Sequence, residues 1–189
     1  MKNKLPIALS NRHIHLSQED LDKLFGEGYT LKKLKDLSQP GQYACEEKVD
    51  AVGPKGTIKG VRILGPVRAE TQFEISVSDA FKLGVKTEIR DSGDIDNTPG
   101  LKLVGPEGET AMNKGVIVAA RHIHMNTEDA KKFDVKDKDR VKIKIEGPRG
   151  LTFEEVLVRI SDSYALEMHV DVEEGNACGV KNGELVELI

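Results

Sequence analysis

Four of the five histidines in this sequence lie in two copies of one short motif. The motif reads "RHIHL" at residues 12–16 and "RHIHM" at residues 121–125. Neutral imidazole nitrogens bind zinc and related transition metals. Alternate residues of a strand point to the same face, so the two histidines of each copy can bind one ion while the isoleucine between them enters the core. The repeated motif therefore predicts two metal-binding strands in one chain.

Each histidine pair has a candidate third ligand further along the chain. In the second half this ligand is His169, the fifth histidine, which comes after the strand-like segment "VLVRI". The corresponding stretch of the first half contains no histidine, and its candidate is Glu74 or, failing that, Glu70. The two predicted metal sites are His13/His15/Glu74 and His122/His124/His169.

The composition of these sets indicates the kind of metal and its role. Three protein ligands with a fourth position left open is the arrangement of catalytic zinc, whereas structural zinc is usually closed by four ligands. Imidazole and carboxylate without thiolate favour zinc but also suit cobalt, nickel, manganese or iron. A single His-x-His pair is more often hydrogen-bonded than metal-bound, and the second copy favours the metal. Three nearby arginines form either surface ion pairs or an anion site: Arg12, Arg68 and Arg121.

Each histidine pair is followed by the start of a helix. The segment "SQEDLDKLFG" begins with Ser17 as the capping residue, and "NTEDAKKFDV" begins with Asn126 in the same place. Each has an acidic residue three positions later, which is the signature of a capped helix start. Because strand end, histidine pair and capped helix recur together, the chain contains an internal duplication.

Short β-rich segments fill the rest of the chain and are separated by three Gly-Pro turns, "VGPKG", "VGPEG" and "EGPRG". This spacing predicts a mainly β fold with two small β-barrel domains, related by internal duplication and capped by short α-helices. We place the first barrel repeat, with RHIHL, at residues 1–112 and the second, with RHIHM, at residues 113–189. Barrels related by duplication can also exchange strands. Cys45 and Cys178 have no CxxC spacing and are predicted to be buried thiols.

The composition argues against several classes of function. The net charge of −4 gives no sign of a surface that neutralises nucleic-acid phosphates. Apolar runs such as "GVIVAA" are too short to span a bilayer, and the amino terminus lacks the hydrophobic stretch of a secretory signal. We therefore expect a cytoplasmic protein without nucleic-acid or membrane partners.

Six stretches, in order and nearly end to end, resemble one protein family. They are "SNRHIHLS", "QPGQYACEE", "VRILGPVRAETQFEIS", "RDSG", "GVIVAARHIHM" and "ALEMHVDVEEGNACG". The family is that of the phosphate propanoyltransferases, also called PduL-type phosphotransacylases. The resemblance implies two β-barrel domains, two zinc ions per chain and a homodimer. It also implies an acyltransferase that moves a propanoyl or acetyl group between coenzyme A (CoA) and inorganic phosphate, with acyl phosphate as the other reactant.

The same resemblance implies roles for individual residues. The six ligands predicted above would form a dinuclear metal site, and Arg68 would be the catalytic residue that contacts phosphate. Family members packed into microcompartments carry an amphipathic amino-terminal extension, whereas few residues precede His13 here. The resemblance therefore favours an enzyme of propanediol, propanoate or acetate metabolism in the cytoplasm over one in a microcompartment lumen.

Two other classes of function fit the same residues. A dinuclear metallohydrolase would cleave an ester or phosphate without CoA. A non-catalytic binding module would use its metals only to join the two halves, with closed coordination. For acyl transfer, we expect one metal to lower the pKa of the CoA thiol and the other, with Arg68, to bind the phosphate.

Overall fold

The computed structural model describes residues 3–189, which form fifteen strands and four short helices. The strands are β1 (Lys4–Ser10), β2 (His13–His15), β3 (Lys33–Asp36), β4 (Tyr43–Val52), β5 (Thr57–Gly65), β6 (Gln72–Glu74), β7 (Ile89–Arg90), β8 (Lys102–Val104), β9 (Glu109–Ala111), β10 (Val116–Ala119), β11 (His122–Met125), β12 (Arg140–Ile145), β13 (Leu151–Ile160), β14 (Glu167–Asp171) and β15 (Leu185–Leu188). The helices are α1 (Gln18–Phe25), α2 (Val77–Leu83), α3 (Thr127–Phe133) and α4 (Val172–Cys178).

The chain divides into two compact units. The first unit spans Arg12–Ala119, and the second combines the segment that ends at Asn11 with Ala120–Ile189. In the first unit the strands form one curled sheet in the order β7-β10-β6-β2-β5-β4-β8-β9, with β3 paired to β4. In the second unit they form a closed barrel in the order β1-β14-β11-β13-β12-β15, and β15 pairs back to β1. The predicted mainly β, barrel-like fold with short helices is therefore confirmed.

The histidine strand has the same neighbours in both units. In the first unit β2 runs parallel to β5 and antiparallel to β6. In the second unit β11 runs parallel to β13 and antiparallel to β14. The next strand outward is β10 in the first unit and β1 in the second, each parallel to its neighbour. Each unit thus contains the strand that precedes the other unit's histidine motif. The predicted boundary at residue 112 concerns the sequence repeats and stays a prediction.

The helices begin at the predicted capping residues. The Ser17 hydroxyl accepts a hydrogen bond from the Asp20 N–H at 3.2 Å, and the Asn126 side chain accepts one from the Asp129 N–H at 2.8 Å. These side chains satisfy N–H groups that a helix start otherwise leaves without partners. The prediction that a capped helix follows each histidine pair is confirmed.

Two of the Gly-Pro turns in the first unit also cap helices at their carboxyl ends. In the β4–β5 turn the Lys55 N–H donates to the Leu83 carbonyl at 3.0 Å, and in the β8–β9 turn the Glu107 N–H donates to the Leu24 carbonyl at 3.0 Å. The turns approach so closely that a Cβ at Gly53 would lie 2.3 Å from the Leu83 oxygen. Glycine at this position is therefore required by contact with the helix end.

Each unit has its own apolar core. Ile14 lies in the first core and Ile123 in the second, and both are fully buried. They are the isoleucines between the paired histidines, so the alternation expected of these strands is observed. No helix within residues 3–189 combines the length and apolar character that crossing a membrane would need.

Candidate metal centre

Two antiparallel strands carry the first candidate site. In the pairing of β2 with β6, His13 lies opposite Glu74 and His15 lies opposite Gln72. Because directly opposed residues project to the same face of a sheet, the two imidazoles and the carboxylate meet there. The structure therefore brings the predicted residues His13, His15 and Glu74 together.

The donor atoms of this set are close enough to share an ion. One donor atom from each of the three side chains lies within 4.8 Å of the others. Nε2 of His13 is 3.6 Å from Oε2 of Glu74. Ligand atoms around tetrahedral zinc are roughly 3.3 Å apart when the bonds measure roughly 2.0–2.1 Å. The alternative ligand Glu70 is instead exposed and forms an ion pair with Lys114 at 2.9 Å.

The Glu74 carboxylate is held in place by two hydrogen-bond donors. Nε2 of Gln72 donates to its Oε1 at 2.7 Å, and the Ser92 hydroxyl donates to the same oxygen at 2.8 Å. The Gly93 N–H donates to Oε1 of Gln72 at 2.9 Å, which fixes the amide in turn. Since Oε1 has two donors, Oε2 is the oxygen that faces His13. Such hydrogen bonds orient a metal-binding carboxylate and tune its affinity.

His15 has the properties of a buried neutral ligand. The pKa of this imidazole is lowered to about 2, chiefly by burial and also by the charges of His13 and Arg68, against the opposing charge of Glu74. Its Nδ1 is buried and has no hydrogen-bond partner. A buried nitrogen in this state is costly unless something binds it, and a metal ion is one group that can.

Arg68 lies beside the first site, as the sequence predicts. Its charge is close enough to His15 to lower the pKa of that imidazole. Its backbone N–H donates to the Leu16 carbonyl at 2.9 Å, which ties the residue to the end of the histidine strand. A guanidinium held next to a candidate cation site can contact an anion that also binds the cation.

The second candidate site repeats this frame. In the pairing of β11 with β14, His122 lies opposite His169 and His124 lies opposite Glu167. The ring centroids of the three histidines are 4.7, 4.9 and 5.2 Å apart. Within residues 3–189, the donor atoms of the first set all lie within 4.8 Å of one another, whereas those of the second set are farther apart. The predicted residues of the second site are nevertheless neighbours on one face of the barrel wall.

The ring nitrogens of the second site are also prepared for a ligand. Nδ1 of His122 is 2.8 Å from the Ala120 carbonyl oxygen, which can only accept, so Nδ1 carries the proton and Nε2 carries the lone pair. This is the usual arrangement of a metal-binding histidine. Nδ1 of His124 is buried without a hydrogen-bond partner.

The environment keeps His124 neutral. The pKa of this imidazole is lowered to about 2, chiefly by burial and also by the charges of His122, His169 and Arg159. The ring of Tyr164 packs against it, with centroids 4.2 Å apart. Like His15, His124 therefore offers an unprotonated nitrogen at neutral pH.

The arginine that precedes each histidine pair forms an ion pair within its own unit. Nε of Arg12 donates to Asp79 at 2.7 Å, and Arg121 donates to Glu174 at 2.6 Å. Asp79 and Glu174 are the third residues of α2 and α4, the helices that follow the strands of Glu74 and His169. Each pair therefore joins the start of the histidine strand to the helix behind the third ligand. Of the two alternatives that the sequence left open for these arginines, the structure shows the ion pair.

Several residues of the two sites were not predicted as members. Ser92, Arg159 and Tyr164 carry no repeated motif, so only tertiary structure reveals them. Gln72 lies two residues before Glu74, and Glu167 lies two residues before His169. The i and i+2 spacing is the signal that could have found this last pair.

The two cysteines are buried free thiols, as expected. The pKa of the Cys45 thiol is raised to about 11, chiefly by burial and also by the charge of Glu47. A thiol with a raised pKa is a poor nucleophile at neutral pH. Nothing in these contacts links Cys45 to the first candidate site.

The donor sets fit a bound metal. They combine low-pKa imidazoles at His15 and His124, an oriented imidazole at His122 and a carboxylate held by hydrogen bonds, and Nδ1 of His15 and of His124 is buried without a hydrogen-bond partner. Sets of this kind suit zinc and neighbouring transition metals. The fold and these clusters define a duplicated, mainly β protein in which each unit carries a histidine-rich candidate metal site.

Comparison with known proteins identifies the family. A sequence profile of the phosphate propanoyltransferases matches residues 6–181. A protein named phosphate propanoyltransferase from Thermotoga maritima is 55% identical over 184 residues, which cover 97% of this chain and 88% of that protein. One of the same name from Clostridioides difficile is 54% identical, covering 98% of this chain and 88% of its own length. The chain belongs to the phosphate propanoyltransferase family of acyltransferases, which confirms the resemblance and the predicted class of enzyme.

Proposed function

We propose that this chain is a metal-dependent phosphotransacylase that transfers a propanoyl or acetyl group between coenzyme A and inorganic phosphate, with two zinc ions per chain. Membership of the family supports acyl transfer to phosphate, and the observation that carries the metal is the close set of His13, His15 and Glu74. Coenzyme A is proposed as the acyl donor because a thioester is activated enough to form an acyl phosphate.

Each unit would hold one ion. In the first unit the ligands would be His13, His15 and Glu74, and in the second they would be His122, His124 and His169. When bound, zinc supplies Lewis-acid charge that lowers the pKa of a bound thiol and stabilises a developing oxyanion.

The residues of the chain prepare this chemistry before the reactants arrive. His15 and His124 stay neutral at pH 7 because their pKa values are lowered to about 2, so their lone pairs are available for a cation. Gln72 and Ser92 direct one oxygen of Glu74 toward the histidines. In the proposed mechanism Arg68 binds phosphate oxygens and orients the nucleophile or leaving group, while its positive charge stabilises the transition state.

Acyl transfer is tested by an assay in both directions. Purified protein should convert acetyl phosphate and propanoyl phosphate to the corresponding acyl-CoA only when CoA is present. Prolonged chelation should abolish the activity, and added Zn²⁺ should restore it. Cleavage of acyl phosphate at the same rate without CoA would instead identify a metallohydrolase, and no turnover with either substrate would favour a binding module.

The role of Arg68 separates the proposal from a purely structural use of the metals. In Arg68→Ala protein the bound metal should remain while the KM for phosphate rises, because the guanidinium contacts the anion and not the cation. Arg149, which is exposed in the second unit, provides the control, and Arg149→Ala should leave both quantities unchanged. An unaltered KM in Arg68→Ala would contradict the role proposed for this residue.

A further inference from the structure

Equivalent positions of the two strands that carry the third ligands, β6 and β14, hold different types of side chain. Glu74 lies opposite His13, and His169 lies opposite His122, so these third ligands occupy equivalent positions. The residue two places earlier is Gln72 in the first unit and Glu167 in the second. The second site therefore has a carboxylate where the first has an amide, and an imidazole where the first has a carboxylate.

The Glu167 side chain faces the second site. Residues i and i+2 of a strand share a face, so Glu167 lies on the same side of β14 as His169. Oε2 of Glu167 is 3.2 Å from Nε2 of His169, and the Glu167 side chain is only 12% exposed. Opposite it across the strand pair lies His124. A carboxylate with so little exposure to water is stabilised by hydrogen bonds or by nearby positive charge, which a bound cation would add.

The different side chains can give the two sites the same total ligand charge. Histidines that bind a metal are neutral, so His13, His15 and Glu74 would together bring one negative charge to a cation in the first site. The three histidines of the second site would bring no charge, so Glu167 would give that site the same charge as the first. A divalent cation in either site would then meet one carboxylate, although the two carboxylates lie at different positions along the strand.

We propose that Glu167 belongs to the second metal site, where its carboxylate faces the cation that His122, His124 and His169 bind. This inference rests on the proposed metal-dependent function. Gln72, its counterpart, is uncharged and orients Glu74 through a hydrogen bond. In the first site the carboxylate is the third ligand itself, Glu74. In the second site it is Glu167, two residues before the third ligand His169 on the same strand.

Zinc titration of the metal-free protein tests this inference without measuring activity. Zn²⁺ is added in competition with a chromophoric chelator, which resolves the binding steps of the unmodified chain. The step that disappears in His124→Ala identifies the second site. In Glu167→Gln, which removes the charge and keeps the size, zinc affinity at that step should fall by about 10- to 100-fold while the other step stays unchanged.

Two further variants make the result specific. Glu167→Asp keeps the charge but withdraws it by one methylene, so its second-site affinity should fall less than that of Glu167→Gln. Glu146→Gln is the matched control, since Glu146 is an exposed residue of the same unit that pairs with Lys144. Circular dichroism shows whether each variant is folded. If Glu167→Gln does not fold, Glu167→Asp takes its place, and a lowered second-site affinity in that variant would support the role of Glu167.

The outcomes separate this inference from the proposed function. Two binding steps in the unmodified chain, with unchanged affinities in the Glu167 variants, would overturn the role of Glu167 and leave the proposed function standing. An unmodified chain that binds no zinc would overturn the proposed metal-dependent function itself.

Discussion

The two units present their histidines on the same frame of strands but complete the sites with different side chains. In both units the histidine strand runs parallel to one neighbour and antiparallel to the strand of the third ligand. The third ligand is Glu74 in one unit and His169 in the other, at equivalent places in the register. Duplication has therefore kept the backbone positions of the sites, while the chemistry at those positions has diverged.

The units also differ in the spacing of their donor atoms and in the hydrogen bonds that hold those atoms in place. In the first unit Gln72 and Ser92 fix Glu74, and the three donors lie within 4.8 Å of one another. In the second unit the rings of His122 and His169 stack with an angle of 13° between them, and the donors are more widely spaced. The difference suggests unequal roles for two similar sites, one beside Arg68 and the other beside Arg159.

The largest effect is expected when a buried histidine is removed from either unit. His15→Ala and His124→Ala should each lower the rate of acyl transfer by more than about 100-fold, because loss of a direct ligand exceeds the effect of losing an outer partner. The initial rate of acetyl-CoA formation from acetyl phosphate and CoA measures this. Near-normal activity in either variant would show that only one unit contributes to the reaction.

The arginines beside the two sites provide the next comparison. Arg68→Ala should raise the KM for phosphate by about 10- to 100-fold, the equivalent of hydrogen bonds to a charged group worth about 1.5–3 kcal/mol. Arg159→Ala, the counterpart beside His124, should change this KM much less. Steady-state kinetics at varied phosphate concentration distinguishes the two variants, and equal effects would argue against a special role for Arg68.

A smaller effect is expected from the ion pairs behind the ligands. Asp79→Asn should weaken zinc binding at the first site by about 10-fold, because its pairing with Arg12 joins the histidine strand to the helix behind Glu74. Glu174→Gln should have a smaller effect at the second site, since the side chain of Glu174 is 23% exposed and that of Asp79 is 7% exposed. Chelator competition measures both affinities.

The control for these ion-pair variants is the site of the other unit. An ion pair that positions ligands should alter only its own site, whereas a general loss of stability would affect both. A larger loss of zinc affinity in Glu174→Gln than in Asp79→Asn would contradict the prediction that the more buried ion pair matters more.

The smallest effects are expected at the two buried thiols. Cys45→Ala and Cys178→Ala should keep the activity of the unmodified enzyme, because neither thiol belongs to a candidate site and the pKa of Cys45 is raised to about 11. Each change should lower the free energy of unfolding by about 1 kcal/mol. Activity and chemical denaturation measure the two quantities, and a large loss of turnover with intact stability would give a cysteine a part in the reaction.

Much of this organisation can be predicted from local sequence. The caps at Ser17 and Asn126 and the Gly-Pro hairpins follow from short-range chemistry, and alternation along a strand places Ile14 and Ile123 in the cores. The histidine pairs could be found because they recur. These features depend on residues that are close together in the chain.

Other features depend on which strands pair, and the sequence does not specify that directly. The sequence allows strand exchange, but only the observed pairing shows that β1 belongs with the second unit and β10 with the first. Ser92 reaches Glu74 from a loop 18 residues away, and no repeated spacing marks it. Glu167 stands two places from a predicted ligand, yet its importance emerges only when its register is compared with that of Gln72.

Elemental analysis of three purified proteins tests whether each unit forms its own metal site. The unmodified chain should contain two zinc ions, His15→Ala should contain one, and His124→Ala should contain one. Fewer than two ions in the unmodified chain, or two ions retained after loss of either histidine, would contradict the presence of one metal site in each unit.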